Sequence, residues 1–259
     1  MPSSVARFLL KRGWFIKPGS ETSAPEESAN RYKDNLEKAG VSINGSDLMI
    51  FGYGGHFDTA CVLLKMGAKH VTLCELDTPP DHDNNAALLP VYADYLRKDG
   101  NLILPKDRHI SLLQGDIRKL AAEKSLEKCD LVVSISVYEH LQDVPGITRA
   151  LAGITKPGGV HLHLVDLRDH FFKYPFEMLC YSEKIWAGWL NPASHHNRYR
   201  FGDYQKVFEE LFKEVEIEVL SRDLEAFKKS KARIRPEFLT GDPQVDSITS
   251  IKIFARKAD

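Results

Sequence analysis

The chain of 259 residues predicts an α/β fold: a doubly wound, mostly parallel sheet with an antiparallel C-terminal strand and an aromatic-rich insertion. Three observations lead there. From Asp47 onward, short apolar runs alternate with segments whose apolar residues recur at helical spacing. Two of those runs, Leu131–Ile135 and Val160–Val165, are apolar almost throughout, as strands covered on both faces are. The first run, Asp47 to Phe51, feeds directly into Gly52-Tyr53-Gly54-Gly55, a strand-to-helix turn where a ligand can touch bare backbone.

Taken in order, residues 1–27 form a basic segment and linker ahead of a domain covering 28–259. Val5 to Ile16 suits an amphipathic helix with Arg7, Lys11, Arg12 and Lys17 around it. Docking on the domain or simple fraying is expected of residues 5–17, with peripheral contact with a membrane surface as the alternative. Pro18–Ser28 reads as linker, and Ala29–Ala39 as a helix closed by Gly40. Strands are expected at Leu48–Phe51, Val71–Cys74, His109–Leu113, Leu131–Ile135 and Val160–Val165. Helices are expected at Asp58–Met66, Asn84–Lys98 and Val144–Ile154. Glu214–Leu220 and Ser247–Phe254 are two further strands with no breaker-free helix between them, which points to an antiparallel ending. The segment from Asp169 to Tyr204 breaks the rhythm. It holds ten of the 25 aromatic residues and reads as a lid over a pocket, as a local helical core, or as both.

Composition narrows the function. A net charge of −1 provides no general attraction to nucleic acid, and no basic, stacking-rich groove stands out. No apolar run approaches the length of a membrane span. Cys61, Cys74, Cys129 and Cys180 lack paired spacing, so reduced thiols and a cytoplasmic location are expected. Nothing in the sequence speaks to oligomeric state.

Ligands of open α/β sheets lie beyond the carboxyl ends of the strands. Here those ends read Phe51-Gly52-Tyr53-Gly54-Gly55, Glu75, Gly115-Asp116-Ile117, Ser134-Ile135-Ser136 leading to Glu139-His140, and Asp166 leading to Asp169-His170. An acid closing the second strand can accept two hydrogen bonds from a ribose diol, and one after the third can accept from an adenine amine. A phosphate is disfavoured, because Asp58 competes for the positive helix end and no Lys or Arg lies between Asp47 and Asp58. The remaining possibility is an adenosine whose tail carries no phosphate.

This order of features resembles the class I S-adenosylmethionine-dependent methyltransferases, particularly those acting on small molecules and sugars, over about residues 45–165. Ile50-Phe51-Gly52-Tyr53-Gly54-Gly55 is similar to their first motif, Glu75 to their ribose acid and Gly115-Asp116-Ile117 to their adenine contact. Cys129 to Ser134 with Tyr138-Glu139-His140-Leu141 resembles the fourth-strand motif, and Lys156-Pro157-Gly158-Gly159 the turn before the fifth strand. The resemblance implies a Rossmann-like fold and S-adenosyl-L-methionine as cofactor. It also implies transfer to a hydroxyl, amine or carboxylate of a small-molecule or glycan acceptor. Two departures, Ile50 where the family has an acid and His56 at its third glycine, keep a catalytically silent binding protein as the alternative.

On the acceptor side, His170 and His140 are candidate bases because both follow strand ends. Asp169, Trp186, Arg198 and Arg200 are candidate substrate contacts. The arginines can clamp an anionic acceptor or pair with acids of their own segment. His161 and His163 share one face of the fifth strand and are expected to be satisfied polar groups, with no metal site.

Overall fold

The computed structural model describes residues 24–122, 126–170, 172, 174–191 and 196–259. The basic segment expected at residues 5–17 and His195 lie outside these. Helix α1 (Pro25–Lys38) leads to β1 (Asp47–Phe51), α2 (Asp58–Lys65) and β2 (His70–Glu75). A hairpin of β3 (Leu96–Asp99) and β4 (Leu102–Pro105) precedes β5 (Ile110–Gln114) and α3 (Ile117–Leu120). Next come β6 (Cys129–Ile135), α4 (Val144–Gly153) and β7 (Thr155–Asp166). Finally α5 (Phe201–Glu209), β8 (Glu214–Arg222), α6 (Leu224–Ser230) and β9 (Ile248–Arg256) complete the chain.

The main sheet has the order β5-β2-β1-β6-β7-β9-β8. The first five strands run parallel, while β9 is antiparallel to both β7 and β8. Side-chain alternation explains why it is buried on both faces. In β1, Leu48 and Ile50 join one core with α1 and α2, whereas Met49 and Phe51 join another with α4 and α5. Ile50 is 1% exposed, so its departure from the family pattern is accommodated as a core residue. Edge strand β8 alternates Val215, Ile217 and Val219 with Glu214, Glu216 and Glu218, and such charges oppose pairing with another edge.

Parallel register places the functional strand ends on one rim. Phe51 lies opposite Cys74, Glu75 opposite Gln114 and Ile135 opposite Leu164. Cys61, Cys74 and Cys129 are buried thiols within this layered core. No helix among the described residues is long and apolar enough to cross a membrane.

Three expectations are corrected. The helix expected at Asn84–Lys98 is two short turns, His82–Ala86 and Leu89–Tyr92, followed by the β3–β4 hairpin. Pro90 cannot donate to a continuous helix, so it begins a new one. Gly100, at φ 58°, and Asn101 then form a two-residue turn between paired Asp99 and Leu102. The linker ends earlier than Ser28, since Pro25 takes the first turn of α1, where its missing N–H is harmless. The insertion ends by Arg200, because α5 begins at Phe201.

Candidate functional site

The glycine turn after β1 is held open by backbone geometry. Gly52 and Gly55 have φ of 82° and 87°, conformations that penalise any side chain. A Cβ at Gly52 would lie 2.4 Å from Cγ2 of Val137, and one at Gly55 2.7 Å from the Pro79 carbonyl oxygen. Asn85, 1% exposed, fastens the turn from below: its Nδ2 donates to the Gly55 carbonyl and its Oδ1 accepts from the Phe57 amide, both at 2.9 Å. Tyr53 is buried and stacks on Phe57 with ring centroids 6.2 Å apart.

Glu75, at the end of β2, reaches this turn. Its Oε2 accepts from the Gly54 amide at 3.2 Å and its Oε1 from Leu76 at 2.9 Å. Burial raises its pKa, opposed by those amides. With the Asp77 amide also bonding the carboxylate, capacity remains for a ribose hydroxyl. Leu76 is 56% exposed beside it, an apolar surface at the rim. The Glu75 carbonyl accepts from Gly115 at 2.8 Å, which brings Asp116 and Ile117 to the same rim. Asp116 caps α3 by accepting from the Arg118 amide at 3.0 Å and forks with the Arg118 guanidinium, which also bonds Asp143 at 2.7 Å. The Arg118 hydrogen bond holds the Asp116 carboxyl down to about 2. An adenine amine would therefore share Asp116 with Arg118. Ile117 is 2% exposed and packs inward.

At the helix end after the turn, the Phe57 amide already donates to Asn85 and the Thr59 amide to Asp58 at 2.8 Å. With those amides engaged and an acid beside them, the turn suits an uncharged or cationic tail rather than a phosphate.

The ends of β6 and β7 carry side-chain chemistry instead. Ser134 is fully buried and its hydroxyl bonds Nδ1 of His163 at 2.8 Å, so only its backbone is directed along the strand end. Ile135 packs in the core, 6% exposed. Ser136 holds φ 55°, a left-handed conformation that costs about 1 kcal/mol for a non-glycine residue. That turn feeds the 3₁₀ segment Tyr138–His140. Burial, reinforced by Asp166, pushes the Glu139 carboxyl up to about 8, and neither oxygen has a hydrogen-bond partner. His170 Nε2 lies 3.4 Å from Oδ2 of Asp166, the last residue of β7. Burial opposes ionisation of Asp166, but hydrogen bonds from His170 and Arg168 hold its pKa well below the usual carboxylate range.

The aromatic segment forms both a small core and a cavity wall. Phe176, Met178, Leu179 and Trp186 pack with Phe227 of α6 and with Ile234. A cavity of about 800 Å³ lies against it, lined by Trp186, Asn191, His196, Asn197, Arg198 and Phe238 among others. Asp169 is 7% exposed; its Oδ1 accepts from Phe172 at 2.8 Å. Arg198 donates to the carbonyls of Met178 and Tyr181 and pairs with Glu183. Arg200 donates to the carbonyls of Leu167 and Ile248. The arginines thus tie the segment to its own acids and to the sheet.

Two contributors escaped sequence reasoning. Asn85 carried no local signal, because its partners lie 28 and 30 residues away. Asn197 clips the segment to the 3₁₀ turn, its Nδ2 donating to the carbonyls of Tyr138 at 2.7 Å and Leu141 at 2.9 Å. The run His195-His196-Asn197-Arg198, dense in polar groups amid aromatics, was the available clue.

The chain matches a family described as a methyltransferase domain over residues 31–212. No curated protein matches it. Among solved structures it is similar to a candidate sarcosine dimethylglycine methyltransferase from Galdieria sulphuraria. Identity there is 15% and TM-score 0.58, over 100% of this chain and 99% of that one. A phosphoethanolamine N-methyltransferase 2 from Haemonchus contortus, solved with S-adenosyl-L-methionine, aligns at 16% identity and TM-score 0.55. That alignment covers 89% of this chain and 53% of the other. Magnesium protoporphyrin IX methyltransferase from Synechocystis PCC 6803, with bound SAH, aligns at 12% and 0.53 over 99% and 96% of the two chains. At such identities the likeness is one of fold, while the family match takes in the glycine turn, every parallel strand and the aromatic segment. The chain belongs to the methyltransferase-domain family, of the class I S-adenosylmethionine-dependent type.

Proposed function

We propose that this protein moves a methyl group from S-adenosylmethionine to an oxygen or nitrogen atom of a small-molecule or glycan acceptor. The observation that carries the reading is Glu75 seated on the Gly54 amide, with Gly115-Asp116 alongside. The donor set fits an adenosyl group: acceptors for a sugar diol, a bare glycine turn and helix-end amides engaged by Asn85 and Asp58. Phe51 to Gly55, Glu75, Asp116, Ile117 and the backbone of Ser134 to Ser136 would hold it. When bound, its sulfonium supplies an activated methyl group.

The chain's own residues supply position and proton transfer. Holding the acceptor in line is the larger contribution, worth about 7 to 11 kcal/mol in well-oriented reactions. Trp186, in the cavity wall, would help orient it, and Asp169, buried beside the end of β7, is a second candidate contact. His170, oriented by Asp166, and His140 on the neighbouring turn stand where an acceptor's proton would be taken. Of the two uses open to Arg198 and Arg200, the geometry supports pairing within the protein over an anion clamp.

Calorimetric titration with S-adenosylhomocysteine tests the reading. Saturable binding is expected, and Glu75→Ala weakens it by about 1.5–3 kcal/mol, the contribution of hydrogen bonds to a charged acceptor. Absence of heat and of any thermal shift at millimolar ligand removes the proposal. Unchanged affinity in the variant moves the ribose elsewhere.

A further inference from the structure

The cavity of about 800 Å³ against the aromatic segment has a wall residue whose side chain is unsatisfied. His196 is 3% exposed, and neither of its ring nitrogens has a hydrogen-bond partner. Its backbone is firmly held. Asn191 accepts from its amide at 3.1 Å, and its carbonyl accepts from Asn191 Nδ2 at 2.7 Å and Trp186 Nε1 at 3.1 Å. A buried polar ring fixed in place without a partner is unusual. The same ring joins the cavity to the strand ends, its centroid 4.6 Å from that of His170 and 5.3 Å from that of His140.

Charge narrows what would partner it, and the two ends of the cavity exclude opposite signs. The wall carries the carboxylates of Glu183, Asp203 and Glu237, two of them outward, with the Glu183 and Glu237 side chains 75% and 49% exposed. An anion entering would pass these acids, and Arg198, the guanidinium of the wall, is spent on Glu183 and two backbone carbonyls. At the inner end the bias reverses. The Arg200 guanidinium acts on His196 from outside the wall, held by the carbonyls of Leu167 and Ile248, and no carboxylate is paired with it among the described residues. Asp166, the carboxylate that acts on His196, is engaged by His170 and by the Arg168 fork. A cation at the His196 ring would therefore meet an uncompensated buried charge of its own sign. A neutral partner suits both ends.

The open groups ask for one that both donates and accepts. Burial holds the His196 ring down to about 3, so it is a neutral imidazole with one N–H and one lone pair. Burial, with Asp203 and Asp143, raises the pKa of the Tyr199 phenol in the same wall, which keeps its proton and has the same double capacity. A hydroxyl matches such groups in both senses, whereas an ammonium only donates and a carboxylate only accepts. Phe238 and Trp186 add apolar surface, and the volume is that of a site for an organic ligand rather than for one water. Among the described residues, no three His, Cys, Asp or Glu side chains are arranged to hold a metal ion.

We propose that this cavity is the acceptor subsite and takes a neutral, hydroxyl-rich molecule of the sugar or polyol class, one hydroxyl of which is held by the ring of His196. The assignment rests on the methyl-transfer reading and narrows its acceptor. His196 and Tyr199 bind and orient the ligand.

The test uses full-length protein saturated with S-adenosylhomocysteine and titrated separately with glucose, myo-inositol, glucosamine, glucuronate and Zn²⁺. Histidine ring and tryptophan indole resonances are followed by NMR in wild type, His196→Phe and Tyr199→Phe. Glucose or myo-inositol is expected to shift them saturably, with glucosamine and glucuronate needing about tenfold more ligand or giving no shift. His196→Phe keeps a ring but loses both nitrogens, so it weakens the response about tenfold, leaving S-adenosylhomocysteine affinity unchanged. Tyr199→Phe removes only a hydroxyl and weakens the response about threefold to tenfold, which carries the test if His196→Phe fails to fold. Preference for glucosamine, glucuronate or Zn²⁺ overturns the assignment. So does a protein that binds S-adenosylhomocysteine yet shows no saturable shift with either neutral polyol, or the same polyol affinity in the folded variants as in wild type. Failure to bind S-adenosylhomocysteine strikes the methyl-transfer reading instead.

Discussion

Two groups of histidines in this molecule behave in opposite ways. His161 and His163 sit two residues apart on β7 and form a continuous buried chain. Thr155 bonds His161 at 2.8 Å, His161 bonds His163 at 3.2 Å, and His163 bonds Ser134 at 2.8 Å. Tyr138, Phe208 and Phe212 pack around them. His140, His170 and His196 come from three separate segments, and the most buried of them has no partner for either nitrogen. The same side chain is a joist in one place and an open valence in the other. What separates them is satisfaction of hydrogen bonds, a better guide to role than burial.

The sharpest way to break this comparison is to truncate one member of each group. His163→Ala removes the partners of the Ser134 hydroxyl and of His161 Nδ1 and opens a cavity, so stability should fall by roughly 3 kcal/mol or more in denaturant melts. Glu139→Gln probes the second group through pH. Glu139 holds its proton up to about 8 against an ordinary 4.5, so its contribution to stability is complete below pH 4.5 and is lost as pH rises toward 8. His161 and His196, each held down to about 3 by burial, titrate only below their ordinary 6.5 and oppose it there. Between 6.5 and 8 the wild type should therefore lose roughly 2 kcal/mol, at 1.36 kcal/mol per pH unit, while Glu139→Gln stays level. Thermal melts across that window check it; parallel slopes would mean Glu139 is solvated. His170→Asn, at a partly exposed ring whose one described ion-pair partner is Asp166, should change stability by no more than about 1 kcal/mol. A loss as large as that of His163→Ala would make both groups structural.

The same contrast explains what could be read before the fold was in view. The parallel strands were legible because burial on both faces imposes unbroken apolar runs, and their order fixed which residues share the rim. The closeness of Glu75 to the glycine turn was therefore legible from spacing. The β3–β4 hairpin was hidden because Ala87, Leu88, Val91 and Tyr95 happen to repeat at helical spacing, although Pro90 and Gly100-Asn101 argued otherwise. His140 and His170 were legible as strand-end residues. The position of His196 was not, because it depends on Asn197 reaching the Tyr138 and Leu141 carbonyls more than fifty residues back. Asn85 was invisible for the same reason: long-range backbone capture leaves no local pattern.

The most direct test is a crystal structure with S-adenosylhomocysteine bound. The ribose hydroxyls should lie within hydrogen-bond distance of Glu75, with the sulfur directed toward the space enclosed by His140, His170 and His196. An adenosyl group seated away from Gly52–Gly55, or a Glu75 carboxylate turned from the sugar, would contradict the account.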